Sequence, residues 1–168
     1  MTGHTTFFDL VTLYIDIVPS NLSASINGET NDVTGSSEME FNFNQVLTLN
    51  AVDFSTDPDV DPAADQGLAF YWYCRKEDES YPSSVPEILQ DGGPNEQVFS
   101  GCFGVEGQAN DEGRLVSGSN GIASIETSLM EPSQVYVIDV IVTKDDREAR
   151  ATLVVDLLPA APPDVQIT

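Results

Sequence analysis

Three features of the 168-residue sequence predict an all-β domain. Apolar runs rich in Val, Ile, Tyr and Phe recur along the chain, clusters of Gly, Pro, Asn, Asp and Ser separate them, and no long stripe of 3.6-residue period competes. The length suits one ordinary domain with tails, large enough to bury a single core. No apolar stretch reaches the roughly 18 residues of a membrane helix, and the opening MTGHTTFF lacks the basic and apolar regions of a signal peptide.

In chain order, residues 1–10 read as a tail or donor segment, residues 11–158 as the domain, and residues 159–168 as a Pro-rich linker toward a next module or neighbouring subunit. VTLYIDIV (11–18) reads as the first strand and SASIN (23–27) as a short second one beyond Pro19. In QVLTLNAVDF (45–54), Leu47, Leu49, Ala51 and Asp53 alternate with Val46, Thr48, Asn50 and Val52, so one side suits a core. STDPDVDPAAD (55–65) connects it to LAFYWYC (68–74). There the period of two puts Leu68, Phe70, Trp72 and Cys74 on the predicted core face, with Trp72 as its anchor, and Ala69, Tyr71 and Tyr73 on the other.

Residues 76–121 hold only short apolar pieces among prolines and glycines and read as a long excursion, in which VFSGCF (98–103) and RLVSG (114–118) suit short strands. IASIETSL (122–129) reads as the returning strand. VYVIDVIVTKDDREARATLVVDLL (135–158) reads as a central hairpin turning over residues 144–148.

Six basic against 28 acidic residues give a formal charge of −22, which repels phosphate backbones and anionic membrane surfaces. Nucleic acid and membrane insertion are therefore not expected partners of this segment. The acids are scattered, as on a solvated surface, with cation binding as the alternative. Cys74 and Cys102 are the only cysteines, in a composition that looks extracellular; a disulfide is their natural pairing, two buried thiols the alternative.

The single histidine, His4, leaves no hydrolytic triad, and there is neither a Gly-rich phosphate loop nor a Cys/His zinc cluster, so no enzyme is expected. Calcium is the one candidate cofactor: Asp53, Ser55, Asp57, Asp59, Asp61 and Asp65 offer oxygens within one connection. An EF-hand is ruled out, because Pro62 and Leu68 stand where Gly and Glu are needed. The competing reading is an acidic turn, in which Asp side chains bond nearby amides while Pro58 and Pro62 stop strand pairing. Asn21-Leu22-Ser23 is the single glycosylation sequon. Tyr71 and Tyr73 either contact glycans or a partner module, or pack against the facing sheet or the long excursion.

LTLNAVDFSTDPDVDP, LAFYWYC and the closing hairpin together resemble the PKD-type immunoglobulin-like domain, above all the version in the receptor for egg jelly (REJ) module of polycystin-1-like surface proteins. The matching residues are Asp57, Pro58, Asp59, Trp72 and Cys74. IVPSNLSASING and LLPAAPPDVQI resemble joints between tandem modules, so the resemblance covers residues 11–168. The insertion PAADQ, the long excursion and the ending Trp72-Tyr73-Cys74-Arg75 depart from simple PKD domains. The resemblance implies an immunoglobulin-like (PKD/fibronectin III-like) β-sandwich of about seven to nine strands. It also implies a non-enzymatic structural or adhesive role at a cell or ciliary surface, beside adjacent modules in a tandem array, with calcium near the Asp-Pro-Asp turn in some relatives. One alternative is a filament subunit whose terminal strand, TFFDLVTLYIDIV or VQIT, completes the sandwich of an identical subunit. Another is an accessory domain that binds calcium or carbohydrate.

Overall fold

The computed structural model describes residues 14–16, 18–27, 29–30, 37–90, 99–103, 113–115 and 121–159. Its strands are β1 (Ser25–Ile26), β2 (Glu29–Thr30), β3 (Ser37–Asn42), β4 (Val46–Asn50), β5 (Ala69–Lys76), β6 (Ile122–Glu126), β7 (Gln134–Lys144) and β8 (Arg147–Leu158). β4 and β6 pair antiparallel to form one face, and a four-stranded sheet in the order β3-β8-β7-β5 forms the other. β1 and β2 make a small separate ribbon.

Between the two faces lies the core that the alternation predicts. Leu47, Leu49, Ala123 and Ile125 of the β4–β6 pair meet Phe70, Trp72, Cys74, Ile138, Val140, Leu153 and Val155 of the larger sheet, all within one cluster. Trp72 is 1% exposed, as befits an anchor. The closing hairpin forms as expected, but its turn is tighter than residues 144–148: Lys144 lies opposite Arg147 across a two-residue turn. Asp145 occupies that turn at φ 54°, a left-handed conformation that short polar side chains tolerate.

β3 is a strand that the sequence reading passes over. Met39 and Phe41 pack toward the core while Glu38 and Glu40 face solvent, and the strand runs parallel to β8, Ser37 opposite Leu153 through Asn42 opposite Leu158. The expected strand over 11–18 fares differently. Tyr14, Ile15, Asp16 and Val18 lie outside any strand, and Tyr14, Ile15 and Val18 are 91%, 75% and 79% exposed. Among the described residues none is paired with them in a β-ladder. Residues 11–13 and 17, the tail 1–10 with His4, and the linker beyond Pro159 fall outside the described residues.

The excursion folds back over the outer face of the four-stranded sheet. Tyr81, Val85 and Leu89 bury themselves on Tyr73 and Ile141, with Tyr71, Ile88 and Phe99 at the margin. This second apolar cluster explains why β7 is buried on both faces from Tyr136 to Val142. It also corrects the glycan reading of Tyr73, which is 5% exposed and stacked edge-on against Tyr81. The returning strand ends at Glu126, where a 3-10 turn, Thr127–Leu129, replaces the rest of the expected IASIETSL strand.

Of the two short strands expected inside the excursion, Phe99 to Phe103 is not a strand, and Arg114 makes only a single bridge to Tyr73. Cys74 N–H donates to the Gly113 carbonyl at 2.9 Å and Leu115 N–H to that of Trp72 at 2.8 Å. Glycine is required at 113: φ is 76° and a Cβ would sit 2.6 Å from the Cys74 carbonyl oxygen. Val98 and residues 116–118 lie outside the described residues.

Candidate functional site

Two polar constructions hold the loops on either side of β5. The first is the connection that was a calcium candidate. Its six residues are not gathered around one point. Asp53 exchanges hydrogen bonds with Asn50, accepting from Asn50 Nδ2 at 2.7 Å and donating its N–H to Asn50 Oδ1 at 3.2 Å. Ser55 is buried against Ser25, whose N–H it accepts at 3.2 Å. Asp57, Asp61 and Asp65 each accept the N–H two residues on, from Asp59, Ala63 and Gly67 at 3.1, 2.9 and 3.0 Å. These are the side-chain turns by which aspartate stabilises a bend without an ion.

Asp57 does more. Its carboxylate, 1% exposed, accepts from Lys144 Nζ at 2.7 Å and from Arg147 Nη2 and Nη1 at 2.8 and 3.0 Å. Arg147 also donates to Asp59 at 3.1 Å and to the Ser20 carbonyl at 2.8 Å, while Ser20 N–H donates to Asp59 at 2.8 Å. The cations come from the two ends of the closing hairpin's turn, so Asp57 joins the β4–β5 connection, that turn and the incoming chain at Ser20. The guanidinium of Arg147 and the ammonium of Lys144 hold the Asp57 carboxyl far below the usual carboxylate range, and Asp57 in turn raises Arg147. In this arrangement Asp57 is paired with two protein-borne cations. Among the described residues no group of three or more His, Cys, Asp or Glu side chains is placed to hold a metal.

The second construction pins the excursion. Cys74 and Cys102 form a disulfide, Cα atoms 5.6 Å apart, both buried in the main core. Glu79, 7% exposed, accepts the N–H groups of Ser100 and Gly101 at 3.1 and 3.2 Å and the Ser100 hydroxyl, which fixes the residues just before Cys102. Asp139 is fully buried in the outer face of β7 and accepts from Tyr81 Oη at 2.9 Å, Arg150 Nε at 2.8 Å and Thr152 Oγ1 at 2.6 Å. Arg150 reaches on to the Ile88 carbonyl at 3.1 Å. Burial, and then the Asp139 charge, push the Tyr81 hydroxyl well above the usual tyrosine range.

Sequence reasoning missed Lys144, Arg147, Glu79 and Asp139. The available signals were a lone acid in the apolar run VYVIDVIV and the clustering of three of only six basic residues at 144, 147 and 150. All six cations are engaged: Arg75 donates to the Glu79 carbonyl and lies over Tyr81, Lys76 pairs with Glu131, and Arg114 lies over Tyr71. Asn21 is exposed, between the held Ser20 and the buried Leu22.

Strand pairings β4 with β6, β5 with β7 and β7 with β8, in this chain order, are those of B–E and C–F–G in an immunoglobulin-like sandwich, and the two constructions are built to hold loops in place. The chain belongs to the REJ domain family, whose model matches residues 4–168. Domains of this family are typically extracellular and generally non-catalytic. A comparison with curated proteins finds no match. Among solved structures, the chain is similar to a nucleoside hydrolase-related hypothetical protein from Saccharophagus degradans that is associated with carbohydrate metabolism. The TM-score is 0.50 at 15% identity over 83% of this chain, which spans only 26% of that one. It is also similar to the PKD domain of human KIAA0319, with a TM-score of 0.38 at 13% identity, over 82% of this chain and 96% of that one. No helix among the described residues is long and apolar enough to cross a membrane.

Proposed function

We propose that the chain is a non-enzymatic structural module of a surface protein, set in a tandem array and carrying tension between its neighbours. The observation that carries this reading is the parallel pairing of β3 with the last strand, β8, over six residue pairs. Tension on the two ends of the chain pulls these strands in opposite directions along their length, so their ladder bonds are loaded together in shear instead of being opened one at a time. The Arg147, Asp57 and Asp59 cluster adds a second hold at Ser20, where the chain comes in.

Single-molecule pulling from the two ends tests this. The expected trace has one sharp rupture peak, lowered by Met39→Pro, which removes a ladder donor from the outermost strand. Gradual extension at low force without a peak would overturn the load-bearing reading. A filament assembled by strand donation is a second reading, favoured by the exposed Tyr14, Ile15 and Val18; it requires the chain to polymerise in light scattering and to stop doing so when residues 1–18 are removed.

A further inference from the structure

We propose that the segment bearing Tyr14 to Val18 is the closing strand of a second sandwich of the same kind, upstream in the natural polypeptide, and that Pro19 marks the boundary between the two. This deepens the tandem-array part of the proposed function and rests on it.

The first observation is an internal repeat. VTLYIDIVP (11–19) and ATLVVDLLP (151–159) align without a gap: Thr12, Leu13, Asp16 and Pro19 recur as Thr152, Leu153, Asp156 and Pro159, and the other five positions exchange one apolar residue for another. The later copy is the second half of β8, the strand that closes this sandwich.

The second observation is the contrast in burial. In β8, Leu153, Val155 and Leu157 point into the core at 5%, 1% and 0% exposure. Ile15, at the place of Val155, is 75% exposed, and Val18, at the place of Leu158, is 79% exposed. A segment with the sequence of a core strand stands in solvent because this sandwich already has its own copy of that strand in position. The match to the family model begins at residue 4, so the segment belongs to the family pattern and not to an appended tail.

The third observation is the short path between the units. Ser20, one residue beyond Pro19, is held through both its N–H and its carbonyl by Asp59 and Arg147. A strand ending at Val18 would reach a fixed point after a single proline, whose φ is itself fixed. The joint is therefore stiff by construction.

Hydrogen exchange compares the 168-residue chain with a natural protein extended upstream by one further unit. In the shorter chain the amides of Tyr14, Ile15, Asp16 and Val18 exchange freely while those of Val155 and Asp156 are protected; in the longer protein the first set slows at least about a hundredfold. Free exchange in the longer protein overturns the proposal. So does protection in the shorter chain that grows with concentration, which would mean strand exchange between copies. Ile15→Asp supplies a separate readout. It leaves the melting temperature of the 168-residue chain unchanged and lowers that of the upstream unit in the longer protein; a fall in the 168-residue chain would return the segment to this sandwich and overturn the proposal. The rupture force of residues 37–158 does not depend on this segment, so either proposal can fail alone.

Discussion

The two connections flanking β5 are both polar and acidic in sequence, yet they are held by different physics. The incoming one, residues 51–68, contributes Ala51 and little else to the core; it is ordered by aspartate turns and by the Asp57 pairs to Lys144 and Arg147. The outgoing one carries its own apolar cluster, a disulfide and the buried carboxylate Glu79, and its Tyr81 is held by Asp139 of β7. A carboxylate held by ion pairs can titrate. Apolar burial and a covalent bond cannot. The contrast teaches that the stiff joint where the chain comes in rests on charge and is the acid-sensitive part of the module, while the excursion rests on apolar burial and a covalent bond.

Removing the disulfide should break that contrast most severely. Replacing both cysteines by alanine releases a loop with a sequence separation of 28. The expected loss is about 3 to 4 kcal/mol in the chain-entropy model, read from chemical denaturation curves. Asp139→Ala takes the carboxylate from the half-buried Arg150 and from the buried Tyr81, and loss of one partner of a pair whose carboxylate is fully buried costs about 3 kcal/mol. The same curves should show a lower midpoint with excursion amides exchanging first.

Asp57→Asn should be milder at neutral pH and should show the opposite signature, dependence on acid. Because the folded-state pKa of Asp57 is depressed, its contribution is present above the unfolded value of about 3.9 and is lost as pH falls below it. The melting-temperature gap between wild type and Asp57→Asn should therefore be flat above about pH 5 and close progressively below about pH 4. Smallest is Tyr81→Phe, which removes one hydrogen bond to Asp139 for a loss of about 1 kcal/mol. Burial raises the Tyr81 hydroxyl, so this contribution persists up to about pH 10 and fades above it. Spectrophotometric titration should find that the variant loses the last-ionising tyrosine of the wild type while the late titration of Tyr136, also raised by burial, persists.

Much of the frame was legible because alternation reports a face directly. Leu47 and Leu49, and Phe70, Trp72 and Cys74, point inward as the period of two demands, and the turn at Asp145 and Asp146 follows from the break between two apolar runs. β3 carried the same signal in Met39 and Phe41, hidden by the alternating Glu38 and Glu40. The strand expected over 11–18 has the right local pattern but no partner among the described residues, and local pattern cannot report a missing neighbour. The site was less legible. The acidic turn could be read, but its counter-ions lie 87 and 90 residues away at Lys144 and Arg147, brought there by the register of a hairpin and not by any spacing within the turn. Asp139 was visible only as an anomaly in an apolar strand, since its partners Tyr81 and Arg150 lie on other elements.

The most direct test of a charge-held joint beside an apolar-held excursion is residue-resolved hydrogen exchange on Asp57→Asn at neutral pH. Faster exchange is expected at Ser20 and Asp59, whose N–H groups donate to Asp59 and Asp57, with Leu89, Gln90 and Gly101 unchanged from wild type. Equal loosening of both regions, or none at Ser20, would contradict the division of labour between them.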